Sequence, residues 1–280
     1  MYLRLLFINV FIVLYFIICS AIYAQNPYIS LAGGYQLGSG KMNLGENYTS
    51  SNGIGSVQRV IGSYGEGFHI SGAIGYNINK NIAVEAMVNL IDGKSFETSF
   101  YSSHSNGSGI VISNKFELES RAEFIQFIPS LLVHFGWSKF DPFAKVGLIL
   151  GTGTIFYSYR EQDTYNDIES YYETSKGLGL GYKTSIGSFY HFNDWFSLFA
   201  EVSILSNNFS PTRGKLTSYK ENGIELINEM SVSDREVKYQ EEYDFNYTED
   251  HNENEPSKEI KQSLPFGSAG LQLGIRFQLK

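Results

Sequence analysis

Gly267-Ser-Ala-Gly-Leu-Gln-Leu-Gly-Ile-Arg-Phe-Gln-Leu-Lys280 decides the fold. Ala269, Leu271, Leu273, Ile275, Phe277 and Leu279 are apolar, while Gly270, Gln272, Gly274, Arg276 and Gln278 are small or polar. Strict alternation of this kind belongs to a strand with one apolar and one polar face. The same pattern recurs in Gly67 to Ile78, where Phe68, Ile70, Ile74 and Ile78 oppose His69, Ser71, Ala73 and Asn77. It recurs again from Ile82 to Leu90, from Pro142 to Tyr159, from Lys176 to Phe192 and from Trp195 to Asn207.

The opening residues read as an export signal. Arg4 precedes a run from Leu5 to Ile18 that is apolar except for Asn9, and Ala21-Ile22-Tyr23-Ala24 offers small residues for cleavage before Gln25. Residues 1–24 are therefore expected to be a signal peptide and 25–280 the mature domain. Cys19, the only cysteine, falls within the signal, so the mature chain is expected to have neither disulfides nor thiolate chemistry. The chain holds 20 Tyr, 21 Phe and 28 Gly against 6 Pro. Its mean hydropathy is −0.16. This composition suits a sheet whose apolar residues are diluted one in two by polar ones. The net charge of −8 argues against nucleic-acid binding, which needs a basic face.

About eight strands are expected, beginning near Pro27 to Gln36. Tight turns follow the second, fourth and sixth, at Asn79-Lys80-Asn81, Trp137 to Asp141 and Asn193-Asp194. Longer polar stretches follow the first, third, fifth and seventh: up to about Gly65, from Asp92 to Asn114, from Glu161 to Thr174 and from about Ser210 to Ser263. This segregation predicts an all-β, eight-stranded, antiparallel up-and-down transmembrane β-barrel, with tight periplasmic turns and long extracellular loops. Tyr76, Phe135, Trp137, Phe140, Phe192 and Trp195 gather near the tight turns, as an interfacial girdle would. Pro129, inside the fourth strand, is read as a bulge.

With the apolar faces turned to lipid, Glu85, Lys145, Lys183, Glu201 and Arg276 must point inward. Two readings stand: an ion-pair network filling a narrow interior, or a polar plug whose pairs re-form to pass ions or water. Eight strands leave room inside for little beyond side chains. The glycines of 177–181 and Gly147, Gly151 and Gly153 are not followed by a helix and are read as inward spacers, not a phosphate loop. His69, His104, His134, His191 and His251 show no metal-ligand spacing, and no cofactor is expected. His134 and His191 fall near the turn end and are read as packing. No setting for a serine nucleophile is visible, so an enzyme is not expected. Residues 210–262 carry seven basic and thirteen acidic side chains, net −6. They are expected to form a long acidic extracellular loop, either a tolerant solvated segment or a partner- or cation-bridging surface.

The chain resembles the small outer-membrane β-barrels of Gram-negative bacteria. These include the transmembrane domain of outer-membrane protein A, the opacity-protein-like porins and the outer membrane protein beta-barrel domain group. Gln272, Gly274, Phe277 and Leu279 look like the terminal signal read by the barrel-assembly machinery; Lys280 departs from the aromatic terminus common there. The resemblance implies a cell-outer-membrane location among lipid and lipopolysaccharide, as a monomer. It also implies a structural or surface-interaction role, with a narrow passive channel as the alternative and a lipid-modifying enzyme behind both.

Overall fold

Alternation becomes pairing along nearly the whole chain. The computed structural model describes residues 27–51, 54–105, 111–163, 165–243 and 252–279; the expected signal peptide lies outside them. Among these residues, fifteen strands form one sheet. Eight close on themselves as a ring: β1 (Pro27–Gly38), β2 (Gly67–Asn77), β3 (Ile82–Gly93), β4 (Val111–His134), β5 (Phe140–Gln162), β6 (Asp167–His191), β7 (Phe196–Glu221) and β8 (Ser268–Gln278). Each pairs antiparallel with the next. β8 closes on β1 in a register that sets Leu31 against Ile275 and Gly34 against Gln272. Closure leaves no unpaired edge within the ring.

The turns follow from local polar chemistry. The Asn79 side-chain oxygen accepts from the amides of Asn81 and Ile82 at 2.8 and 2.9 Å. Asn193 does the same for Trp195 and Phe196 at 3.0 and 2.8 Å. These are Asx turns, in which a side chain stands in for a backbone acceptor. Between β4 and β5, Gly136 adopts φ +73° and donates to the Asp141 carboxylate at 2.7 Å.

The other end departs from the expected loops, and fifteen strands replace the expected eight because most of those segments are themselves paired. After β1 comes a hairpin of Met42–Ser51 and Ile54–Gly62. Phe96–Ser105 pairs with the first part of β4. β5 and β6 run on to Gln162 and Asp167, and beyond them the Asp163 carboxylate accepts from the amides of Tyr165 and Asn166. Those two donors hold the Asp163 carboxyl below its usual range. The 210–262 segment is not one loop. β7 continues through it to Glu221 and turns into Ile224–Glu225. A 3-10 turn, Ile227–Glu229, follows, then a four-residue helix, Val232–Arg235, and the strands Glu236–Gln240 and Ser257–Ile260. Leu264–Pro265 is a short further pairing on β7. Above the ring the sheet is therefore an open wall, running Ile54–Gly62, Met42–Ser51, Phe96–Ser105, β4, β5, β6, β7, Glu236–Gln240, Ser257–Ile260.

Pro129 is not a bulge. It stands opposite Ala86, and the β4–β5 register is the same before it, Phe127 to Leu150, as after it, Ser130 to Gly147. The missing donor interrupts the ladder without shifting it.

The faces sort by parity. Outside, Leu148 is 66% exposed, Ile186 68% and Leu273 62%; inside, Glu201 is 1% and Lys183 2% exposed. Three apolar clusters fill much of the interior. Tyr28, Ala83, Leu132, Phe143, Phe189 and Phe199 pack toward the turns. Ala73, Met87, Ile128, Ile149 and Leu205 lie midway. Phe124, Phe209 and Phe266, with Tyr64, Ile91, Phe96, Ala122, Ile155 and Leu264, lie at the end beneath the open wall.

Glycine makes one of these approaches possible. Gly75 sits between Tyr28 and Glu85 in register, and a Cβ there would fall within the Tyr28 ring. Gly75→Val is expected to lower unfolding free energy by about 1–3 kcal/mol through overpacking. Gly72→Ala, whose Cβ would meet nothing nearer than Leu31 Cδ2 at 3.4 Å, is expected to match wild type or exceed it. Urea midpoints of the refolded variants check both.

Candidate functional site in the ring interior

Five strands each contribute one inward ionisable residue to a continuous chain. Lys183 (β6) meets Glu201 (β7) at 2.7 Å. Glu201 also lies 3.4 Å from Lys145 (β5). Lys145 bonds Glu85 (β3) at 2.8 Å, and Glu85 reaches Arg276 (β8) at 3.7 Å. The order is cation, anion, cation, anion, cation, so neighbouring charges alternate in sign. All five residues that strand parity turns inward are thus brought together.

Burial makes pairing obligatory, because an isolated charge in this interior costs several kcal/mol. The extra cation has its own accommodation. The Arg276 guanidinium lies 3.8 Å from the centroids of both Tyr28 and Phe189, sandwiched by two negative ring faces. Tyr28 OH donates to Glu85 at 3.3 Å, and Lys183 also donates to the Gln272 side-chain oxygen at 3.2 Å. Ser185 Oγ donates to Glu201 at 3.5 Å.

A belt of uncharged polar side chains follows toward the open wall. His69 Nε2 stands 3.0 Å from the Gly65 carbonyl, which can only accept, so Nε2 carries the proton. His69 Nδ1 then accepts from Asn89 at 3.2 Å. Asn89 donates its other hydrogen to Gln126 at 2.9 Å, and Gln126 donates to Asn207 at 3.5 Å. Across the interior, Gln36 donates to Ser203 at 3.1 Å. Donation diverges from Asn89, toward Gly65 on one side and toward Asn207 on the other, so the belt ties Gly65, beside the Tyr64 ring, to β7.

At the turn end the buried Asp141 carboxylate accepts from His134 Nδ1 at 2.6 Å and from the amides of Gly136 and Trp137 at 2.7 and 3.3 Å. His191 Nδ1 bonds Ser197 Oγ at 2.7 Å, but its Nε2 is 3.7 Å from Asp141, beyond a hydrogen bond. Both histidines therefore take part in polar contacts at the mouth. Among the described residues no cluster of three or more His, Cys, Asp or Glu side chains is placed to hold a metal ion.

The four terminal-strand residues each have a local place. Gln272 is buried and takes the Lys183 bond, and Gly274 leaves room for the Phe199 ring. Phe277 lies against Trp195 and Phe196, and the Leu279 amide donates to the Pro27 carbonyl at 2.8 Å. Parity sets Asn89 on the inward face beside Glu85 and Met87 but gives it no role, and a search for inward charge leaves out Tyr28, Gln36, Gln126 and Asp141. Each also lies on an inward or mouth-facing position, so the signal was present; only the partners across the ring were not.

No protein-family model matches the sequence, and no curated protein matches it either. Among solved structures, the solid-state NMR structure of outer membrane protein AlkL in DMPC lipid bilayers is 13% identical. The match covers 92% of each chain, with a TM-score of 0.33. A likeness that distant leaves function to be argued from this chain's own geometry.

Glu201 holds two lysines, so Glu201→Gln is expected to cost about 3–5 kcal/mol by leaving buried charge uncompensated. The double variant Lys183→Met/Glu201→Gln is expected to be less destabilised than the sum of its single variants, since each partner removes the other's penalty. A double-mutant cycle on urea unfolding measures the coupling.

Proposed function

We propose that the protein is an outer-membrane β-barrel with a structural and surface-interaction role, its interior sealed by side chains. The observation that carries the reading is the inversion of faces on a closed ring. Leu31, Ile70, Leu148, Ile186, Val202 and Leu273 are exposed all round the wall, while the five charges are enclosed. In water such a belt would be an apolar patch far larger than soluble monomers tolerate. Against hydrocarbon it is the required surface, and closure gives each strand of the ring a hydrogen-bonded neighbour on both sides.

Orientation follows from the same physics. Trp137 and Trp195 are exposed beside the tight turns, with Phe135, Phe140 and Phe192 around them, and the amphipathic indoles favour a lipid–water interface. Such belts occur at both interfaces, so the side follows from the turns. Short turns are periplasmic in single-chain outer-membrane barrels, which sets the tight-turn end there and the open wall outside, near lipopolysaccharide. β8, ending at the β1 seam, is the strand the assembly machinery would read, and a ring complete in one chain supports a monomer.

The sealed interior favours the structural role over a narrow channel. Ion pairs bridge the ring at one level and aromatic rings close it at another. Refolded, purified protein is expected to need detergent for solubility and to leave a planar bilayer electrically silent. Steady ohmic openings would overturn the sealed reading in favour of the channel, and a protein soluble without detergent would overturn the membrane location.

A further inference from the structure

The ring has no free edge, but the wall above it has two, and they differ. The edge at Ser257–Ile260 is four residues long and carries Lys258 and Glu259. Short, charged edges of this kind are how proteins prevent unwanted strand addition. The other edge, Ile54–Gly62, is nine residues long and holds neither proline nor acid. Its inner side pairs with Met42–Ser51, and among the described residues no strand takes its outer side. Ile54 is 82% exposed, Val57 58% and Ile61 56%.

The hairpin behind this edge is held in place. Tyr48 to Ser51 pair in parallel with Phe100 to Ser103, and the Tyr48 and Phe100 rings stack at 4.7 Å. Met42, Leu44 and Val60 root its base in the apolar cluster beneath the open wall. The edge is thus presented by the fold.

We propose that Ile54–Gly62 is a docking strand, to which an extended segment of a partner protein adds as one further strand. A row of unpaired backbone donors and acceptors is matched by another backbone, and main-chain bonds give such complexes their affinity. Side chains set the chemistry of the partner. Val57, Arg59 and Ile61 share one face by period two. Arg59 is 72% exposed, and its nearest carboxylate, Glu46 on the inner strand, stands 3.9 Å away. The partner segment therefore reads apolar, acidic, apolar on that face, with the acid opposite Arg59.

A second copy in the same membrane does not fit. Two such copies are related by an axis along the membrane normal. That axis brings each edge residue to its own counterpart at equal height, with donor facing donor. The proposal deepens the surface-interaction reading and rests on it for the side of the membrane from which the partner comes.

The test uses refolded full-length protein in detergent micelles and a fluorescent peptide, Thr-Val-Thr-Glu-Thr-Val-Thr, followed by anisotropy. Saturable binding is expected. Methylating alternate peptide nitrogens on the bonding side should weaken it about tenfold or more, the loss of a few backbone hydrogen bonds. Val57→Pro should weaken it similarly. Arg59→Glu, at an exposed position, should weaken binding of this peptide and strengthen that of its Lys-for-Glu counterpart, which keeps the test decisive should Val57→Pro fail to fold. No saturation up to about 1 mM peptide, or affinity indifferent to methylation and to the Arg59 charge, overturns the proposal. So does self-association in micelles that Val57→Pro abolishes, since the edge would then belong to a second copy. Conductance reports separately: a conducting protein that binds the peptide overturns the sealed lumen and leaves the docking strand standing, and a silent one that ignores the peptide does the reverse.

Discussion

The five-membered ion chain is the constraint around which the ring is built. Lys183, Glu201, Lys145, Glu85 and Arg276 come from five strands, and no two consecutive members lie on the same one. Their charges tolerate burial only while all five strands hold register. A slip of one residue along any of them would turn its charge outward and leave its partner alone. The chain thus specifies the closure that the outer apolar belt needs, and the belt supplies the surface against which closure is favourable.

The interior is layered in a way that suits this arrangement. Aromatic side chains lie toward the turns and again beneath the open wall, with charged and neutral polar groups between them. Arg276 shows why the layers are ordered so. It is the unbalanced cation, and it sits where Tyr28 and Phe189 can face it from both sides. The polar belt of His69, Asn89, Gln126 and Asn207 then joins β7 to the Ser63–Gly67 stretch, whose Tyr64 ring lies in the apolar cluster beneath the open wall.

Above the ring the constraints relax, and the sheet changes character. β1, β2, β3 and β8 stop, while β4 to β7 run on and acquire new neighbours. β4 exchanges β3 for Phe96–Ser105, and β7 exchanges β8 for Leu264–Pro265 and then Glu236–Gln240. Here the strands face water on both sides. Tyr, Ser, Thr and Glu replace the Leu and Ile of the belt, and hydrogen-bonded backbone with aromatic contacts, such as Tyr157 with Tyr172 and Phe116 with Tyr159, carries the structure. A wall of this kind has edges, which a ring does not.

The chain's own order of residues determined which side chains share a face. Period-two alternation put Glu85 opposite Val84 and Arg276 opposite Ile275, whatever lay across the ring, because that spacing is a property of one strand alone. It also placed the tight turns, since Asn79, Asn193 and Asp141 act on amides a few residues away. Tertiary structure alone decided which charge meets which, that Pro129 interrupts a ladder without bending it, and that the polar stretches after β1, β3, β5 and β7 are largely paired. Those stretches look like loops because their polarity carries no inside–outside contrast: both faces are wet, so alternation loses its apolar signal although the backbone remains extended. Pairing there depends on a neighbour distant in the chain, and neither propensity nor pattern within one segment records where that neighbour is.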